Sequence, residues 1–527
     1  MKQMIRESIK NLLKKSIEEL QKEKALPVFD LPEIELESPE VKSHGDYSSN
    51  IALVLSKIAK KSPKDIAVLI FNKIVNNKKS EEFLKKTTPE EGIANPGFIN
   101  FFVSKEYLEK EVKEILKQKK DYGKINIGKG EKINVEFVSA NPTGPLHVGN
   151  ARGGFCGDVL ANTLNKAGYK ASKEYYINNV GKQVEVLKDT LDGKEGYKNE
   201  YTDYLIEKGE KDPQRAVEYI REEIEKTIFA MGIKYDKWFP ESDLFESKET
   251  EEVKKELNDK GLTEEKEEAL WFKSSKFGDD KDRVLIRENG KATYLLSDIA
   301  YLKNKFKRGF KKLIIFLGAE HHGYIGRVSA GAEALGYKKE NVIPIIMQLV
   351  RLIEDGKEVK MSKRTGVYIT IDELIKEVGM DVSRFFFLLR SYGNHLDFDL
   401  NLAKEQSSKN PVFYVQYAYA RICSILRKSD IKPSKDILLT EEAEKELVKQ
   451  LIKLPEVIED TVIDYQVQRL PKYAIELAES FHSFYQKCQV ISDDKNLTER
   501  RLSLISATKI VLENTLSLIG VSAPEKM

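Results

Sequence analysis

Apolar residues recur every three or four positions from Ile5 to Leu20, with acids and bases between them, which predicts a surface helix at the start of the chain. Ser62-Pro63-Lys64-Asp65 reads as a helix start: a serine cap, proline in the first turn, and an early acid ahead of the apolar run IAVLIFNKIV. NPGFINFFV, Asn95 to Val103, predicts a strand entered through a Pro-Gly turn. The first ~115 residues thus alternate helices with short strands, and the polar, glycine-containing KQKKDYGKINIGKGEK predicts a linker. From Lys132 the rhythm changes. INVEFVS predicts a strand, ANPTGPL a tight loop, HVGNARGGFCGDVLANTLNKAG a helix ending at Gly168, and YKASKEYYIN a second strand, together one βαβ unit. A charged, helical-looking segment over about 185–282 interrupts this alternation as an insertion. Strands resume at KLIIFLG and VIPIIMQLV, and after about Ile371 only amphipathic helices are predicted. The expected organisation is α/β over 1–118, a parallel-sheet α/β unit over 125–370, and an all-α unit over 371–527.

At 527 residues, with 41% hydrophobic content, the chain can build several cores. No continuous run of 18 apolar residues occurs, so no membrane span is expected. Cys156, Cys423 and Cys488 lie far apart, without paired spacing; neither disulfides nor a zinc site is expected, and a cytoplasmic location is. A net charge of +2 is low for a small nucleic-acid module, but a large chain can segregate its bases onto one face. Composition therefore leaves the partner open.

Two motifs carry chemistry. A helix starting after a strand offers unpaired N–H groups to phosphate, and Gly144, Gly149, Gly153 and Gly154 permit close approach by a nucleotide or another backbone. His147 at that helix start can donate to a phosphate oxygen; alone, HVGN is a weak signal that favours a glycine-rich packing helix with a capping histidine. Some 210 residues later comes Lys360-Met361-Ser362-Lys363-Arg364, after a strand and the acidic turn Glu354-Asp355-Gly356. Its two lysines, three apart, suit a triphosphate, and a solvated basic turn is the plainer alternative. Glu136 on the strand before HVGN, and Asp298 in TYLLSDIAY, are carboxylates that suit a guanidinium or a structural ion pair; Tyr294 shares a helix face with Asp298.

HVGN followed by KMSKR resembles the paired signatures of class I aminoacyl-tRNA synthetases, with Asn150 where the usual HxGH has its second histidine. VEFVSANPTGPLHVG and RVLIRENGKATYLLSDIAY are similar to the activation segment and amino-acid pocket of the arginyl members. EYYINNVGKQ resembles EYYVNDAGNQ, with Gln183 matching and Asn179 departing, and LGAEHHGYIGR resembles GADHHGYIPR. Asp381-Val382-Ser383-Arg384 stands where the family has D-A-L-R, and HGDYSSNIALVLSK is similar to its N-terminal additional domain. The resemblance spans nearly the whole chain and is weakest over 185–282.

The resemblance implies a Rossmann-like catalytic domain, an N-terminal tRNA-binding α/β domain and an α-helical anticodon-binding domain. It implies His147, Lys360 and Lys363 as catalytic groups, and Gly149, Asn150, Met361 and Ser362 beside them on ATP. Arginine would be held by Glu136, Ser139, Asn141, His147, Gln183, Tyr294, Asp298 and His321, with His322 beside the adenylate. Asn100, Tyr414, Gln416, Tyr417, Arg421 and Met527 would face tRNA, although alternating aromatics also suit a helical core. The implied reaction is ATP-dependent activation of L-arginine and transfer to tRNA(Arg), with Mg²⁺ accompanying ATP, tRNA needed for the first step, and a monomeric enzyme. Two other readings stay open: a small-molecule nucleotidyltransferase of the same fold, which would not need the helical third, and a non-catalytic RNA-binding relative.

Overall fold

The computed structural model describes residues 4–194, 196–359 and 369–527. The N-terminal part contains α1 (Ile5–Lys22), β1 (Tyr47–Ser49), α2 (Ile51–Ala59), α3 (Pro63–Val75), α4 (Pro89–Gly92), β2 (Ile93–Ala94), β3 (Phe98–Phe101) and α5 (Lys105–Gln118). The three strands form an antiparallel sheet in the order β1-β3-β2. Ser62 Oγ caps α3 by accepting from Asp65 N at 3.1 Å, as its sequence predicts. The apolar stripe of α1 is buried, while Arg6 on its other side reaches Glu459 and Asp460 at 2.5 and 2.7 Å.

The expected linker is docked rather than free. Tyr122 and Ile125 are buried, and Asn514 Nδ2 donates to the carbonyls of Lys119 and Tyr122 at 2.8 and 3.1 Å. Buried backbone carbonyls need partners, and this polar stretch finds them on the last helix of the chain.

The central unit runs through β4 (Lys132–Glu136), α6 (Val148–Lys166), β5 (Lys170–Ile177), α7 (Lys182–Leu191), α8 (Glu200–Glu207), α9 (Pro213–Ala230), β6 (Lys237–Pro240), α10 (Ser242–Glu246) and α11 (Glu249–Asp259). It continues through β7 (Thr263–Lys266), β8 (Ala269–Phe272), β9 (Arg283–Ile286), α12 (Tyr294–Lys307), β10 (Lys312–Gly318), α13 (Ile325–Ala334) and β11 (Val342–Met347). Five strands form a parallel sheet in the order β11-β10-β4-β5-β6. From β4 the chain winds outward through β5 and β6, then returns to β10 and β11 on the other side. The switch point therefore lies between β4 and β10, and the crevice beyond their carboxyl ends is where such sheets bind ligands.

The segment expected as a helical insertion is not wholly one. β6 lies inside it and closes the sheet against β5, and β7-β8-β9 form an antiparallel sheet of their own. β6 escapes a pattern reading because it is four residues long and only Phe239 is fully buried.

After β12 (Val350–Glu354) and β13 (Lys357–Glu358) come α14 (Ile371–Val378), α15 (Met380–Leu388), β14 (Leu396–Asp399) and α16 (Leu400–Lys404). β14 pairs in parallel with β12, so strand structure persists beyond Ile371, contrary to expectation. Helices α17 (Pro411–Lys428), α18 (Glu442–Leu451), α19 (Leu454–Asp464), α20 (Arg469–Lys487) and α21 (Lys495–Ile519) complete the chain. By length and composition α21 would suit a membrane, but 72% of its most apolar window is buried inside the protein. It serves as the central helix of this bundle and packs on α5, α17 and α20.

Candidate active site

The loop that leaves β4 is held in a costly conformation. Val138 and Ser139 have φ of +67° and +41°, a region that β-branched residues in particular avoid. Neighbouring groups overdetermine it: Ser139 Oγ accepts from Tyr176 N at 3.1 Å, the Tyr235 hydroxyl donates to Phe137 O at 2.8 Å, and that of Tyr175 donates to Ala140 O at 3.0 Å. Farther along, Asn199 Nδ2 donates to Thr143 O at 2.8 Å, and a Cβ on Gly144 would lie 2.8 Å from that nitrogen. Gly144 and Gly154 therefore serve close packing within the protein, Gly154 against Met231 and Ile233.

His147 is the N-cap of α6. Its Nδ1 accepts from Gly149 N at 3.1 Å, and Asn150 Oδ1 accepts from His147 N at 3.1 Å, a reciprocal capping box. Burial lowers the His147 pKa against the opposing pull of Glu320, so the ring is neutral near pH 7. With Nδ1 accepting, the proton belongs on Nε2, which makes that atom a hydrogen-bond donor at the mouth of the crevice. Asn150 spends its carbonyl on the cap, which explains how asparagine serves at this position.

Beside this loop, carboxylates gather around one hydroxyl. The Tyr176 hydroxyl is buried beside the Glu241 carboxylate, and Glu241, Asp298 and Glu136 all raise its pKa through their charge, after burial itself. Glu241 follows β6, Asp298 lies in the second turn of α12, and Glu136 ends β4. Burial, the dominant cause, pushes both Glu241 and Asp298 up to about 7, and Asp298 is raised further by Glu241 and Glu136 while the Tyr324 hydroxyl opposes. Among the described residues neither carboxylate is in an ion pair. Glu136 differs, because the fully buried Lys305 bonds its Oε2. At the edge of the cluster the Tyr294 hydroxyl donates to Gln183 Oε1 at 2.5 Å.

The structure thus gathers Glu136, Glu241 and Asp298 around Tyr176 with Gln183 and Tyr294 at the edge, while Ser139 and His147 lie along the loop from β4 to α6. Asn141 lies at the same loop, within 3.1 Å of the Asn178 amide. His321 follows β10 and is exposed, 3.5 Å from Glu320. Lys360, Met361, Ser362 and Lys363 lie outside the described residues, as does the side chain of His322. Among the described residues no group of three or more His, Cys, Asp or Glu is arranged to hold a metal ion.

Comparison with known proteins decides between the readings that these groups permit. Family models match along the chain: "Arginyl tRNA synthetase N terminal domain" over 4–103, "tRNA synthetases class I (R), catalytic domain" over 111–211 and 191–385, and "DALR anticodon binding domain" over 415–527. The Arginine--tRNA ligase of Carboxydothermus hydrogenoformans is 44% identical, covering 94% of each chain; that of Caldanaerobacter subterraneus is 43% identical over 100% of this chain and 99% of its own. The chain belongs to the arginyl-tRNA synthetase family. It is an aminoacyl-tRNA ligase of class I, acting on arginine, ATP and tRNA, and nothing in the comparisons favours a small-molecule nucleotidyltransferase. The Thermus thermophilus arginyl-tRNA synthetase shares the fold at a TM-score of 0.79 and 22% identity, over 99% of this chain and 100% of that one. An arginyl synthetase structure from Campylobacter jejuni is 31% identical, with a TM-score of 0.73, over 80% of this chain and all of that one.

Within this synthetase the residues expected at tRNA divide into two groups. Tyr417, Arg421 and Met527 line one open cleft of about 870 Å³ between α17, α20 and the C-terminus, with Tyr485 and Arg427. There the Arg421 guanidinium lies 4.8 and 5.0 Å from the Tyr417 and Tyr485 ring centres. Tyr414 is half-buried behind them, its ring 4.8 Å from that of His482. Gln416 is buried instead: its Nε2 donates to Asp381 Oδ2 at 2.8 Å and Ser522 O at 3.0 Å, tying α17 to α15 and to the tail. Asn100 is likewise buried, accepting from Ser48 Oγ at 2.8 Å. Polar residues on aromatic-rich segments look alike in sequence whether they face ligand or a neighbouring element, so both assignments need correction. Glu241, Tyr176 and Lys305 escape a motif reading altogether. A signal for Lys305 exists, since Asp298, Tyr301, Lys305 and Arg308 recur at helical spacing.

Proposed function

We propose that the Glu241–Asp298 pair beside Tyr176 is the arginine guanidinium site, with Glu136 held by Lys305 next to it. The observation that carries this reading is a pair of acids, Glu241 and Asp298, buried beside Tyr294 at the carboxyl end of the sheet with no cation among the described residues. A guanidinium is permanently charged, planar and able to bond carboxylates in bidentate fashion, so it supplies what this pocket lacks. Uncharged analogues would leave the acids unpaired, a discrimination on the order of 10⁴-fold in comparable polar pockets. The α-amino and carboxylate ends would then lie toward Asn141, Ser139 and His147.

ATP would occupy the crevice at the switch point, with its phosphates at the start of α6. The arginine carboxylate attacks the α-phosphate, pyrophosphate leaves, and the His147 Nε2–H bonds the phosphate oxygen on which charge builds. Lys360 and Lys363 would neutralise charge on the triphosphate. Mg²⁺ would accompany ATP and offset the negative charge of its phosphates. The terminal adenosine hydroxyl of tRNA then attacks the arginyl carbonyl of the adenylate, the acyl–phosphate bond breaks and AMP leaves, and Tyr417, Arg421 and Met527 would face the anticodon loop through stacking and charge. The reading also holds that residues 1–118 contact tRNA, that the first step needs bound tRNA, and that the enzyme works as a cytoplasmic monomer.

A pH titration of arginine binding tests the pocket. With both acids near 7 in the empty site, each is mostly protonated at pH 6, and the guanidinium must displace those protons. Arginine should therefore bind more tightly as pH rises from 6 to 8, by about tenfold for each acid ionised, with net proton release greatest near pH 7. Calorimetry in buffers of different ionisation enthalpy measures that release. Because both folded values exceed the ordinary carboxylate range, the arginine-free protein should lose stability between about pH 4 and 7 as these groups ionise. Arginine affinity that stays flat from pH 6 to 8 would remove the buried acids from the site.

A further inference from the structure

The inner face of α12 carries a ladder of charge. Asp298, Tyr301, Lys305 and Arg308 follow one another at helical spacing and face the carboxylates of β4 and β5. On the outer rung Arg308 holds Glu174 through two bonds of 2.7 and 2.6 Å, and Asn134 Nδ2 donates to the same carboxylate at 3.0 Å. Tyr301 donates its hydroxyl to Glu174, which fixes the ring, and Lys305 Nζ lies 4.0 Å from that ring's centre. On the inner rung Lys305, with no exposed surface, bonds Glu136. Each carboxylate on the sheet therefore has a cation from α12. About two turns further toward the start of the helix Asp298 has none among the described residues, and neither has Glu241, which follows β6.

Resting on the arginine pocket proposed above, we infer that Lys305 is a specificity-determining positioning residue: by neutralising Glu136 it leaves the Glu241–Asp298 pair as the place where a guanidinium can dock. A buried ammonium is costly, and a methionine of similar length would fill the same space. What methionine would not supply is charge. Without Lys305 the pocket gains a third uncompensated carboxylate next to the pair. Mutual repulsion then keeps more of the acids protonated, and the guanidinium has two competing sites, only one of which aligns the arginine carboxylate with ATP. The field of Lys305 already acts on Asp298, where it favours the ionised form. A carboxylate held by an internal cation is also why Glu136, expected to read the ligand directly, acts through Lys305 instead.

The test measures arginine and ATP KM, and kcat, at saturating tRNA for Lys305→Met, Lys305→Arg, the double variant Lys305→Met/Glu136→Gln, and Asp298→Ala. Lys305→Met should raise the arginine KM on the order of 10²-fold while the ATP KM stays within about twofold, because an uncompensated buried charge faces the amino acid only. Lys305→Arg keeps the cation and should stay within about fivefold, and the double variant, which removes both charges, should return to within about fivefold. An unchanged arginine KM in Lys305→Met, an equal rise in the arginine and ATP KM, or a double variant as impaired as the single one would overturn the inference. If Lys305→Met fails to fold, the double variant and Lys305→Arg decide alone, and an arginine KM raised about 10²-fold in the double variant overturns it. Should Asp298→Ala leave the arginine KM unchanged, the pocket itself is misplaced. If Asp298→Ala is impaired and Lys305→Met is not, only the role of Lys305 fails.

Discussion

Replacing Asp298 by alanine should lower arginine kcat/KM by 10²- to 10³-fold while ATP binding survives. Asp298 is one of two buried acids available to the guanidinium, and its partner, Glu241, is as reluctant to ionise in the empty site. Removing one member of a buried charge pair costs about 3–5 kcal/mol, and each 1.4 kcal/mol is a factor of ten. The effect should be confined to the amino acid, because the phosphate-facing start of α6 does not involve the second turn of α12. The arginine-free protein should tolerate the change, since a group whose folded pKa is raised destabilises the fold at neutral pH. Equilibrium binding of arginine and of ATP to the variant separates the two effects. Near-normal arginine affinity would show that the cluster is structural.

His147→Asn is the second large effect, and the substitution is chosen to keep the fold. Asparagine is among the best N-cap residues, so the start of α6 should hold and the melting temperature should stay close to that of the parent. What disappears is the Nε2–H at the mouth of the crevice. Losing one donor to developing oxyanion charge costs on the order of 10² to 10³ in kcat. Pre-steady-state formation of arginyl-adenylate should therefore slow by that factor, with little change in either KM. A fall in arginine affinity of the same size, with unchanged kcat, would instead make His147 a ground-state contact.

Much of this site was legible in the sequence, and the parts that were not share one physical cause. The helix opened by HVGN, the strand before it and the capping role of Ser62 are local features, decided by residues within a turn or two. Spacing likewise puts Tyr294 and Asp298 on one helix face, while their place at a ligand came only from the resemblance. Lys305 and Glu136 lie 169 residues apart, and Glu241 reaches the cluster only because β6 extends the sheet beside β5. Nothing local announces such convergence, and β6 itself hides in a charged segment with a single fully buried residue. Gln416 and Asn100 fail in the opposite sense. Their residue types fit RNA recognition, but Asp381, Ser522 and Ser48 already use them inside the protein. Binary pattern reports which side of a helix is buried; it does not report what a buried polar group meets there. β14 is an intermediate case, since LDFD alternates buried and exposed positions but is too short to stand out between helices.

The central claim is that these acids select arginine for adenylation on a platform completed by tRNA. The most direct measurement is ATP–pyrophosphate exchange with each of the twenty amino acids, with and without unfractionated tRNA. Exchange with arginine alone, and only when tRNA is present, is the predicted result. Exchange supported equally by lysine, or by arginine at full rate without tRNA, would contradict it.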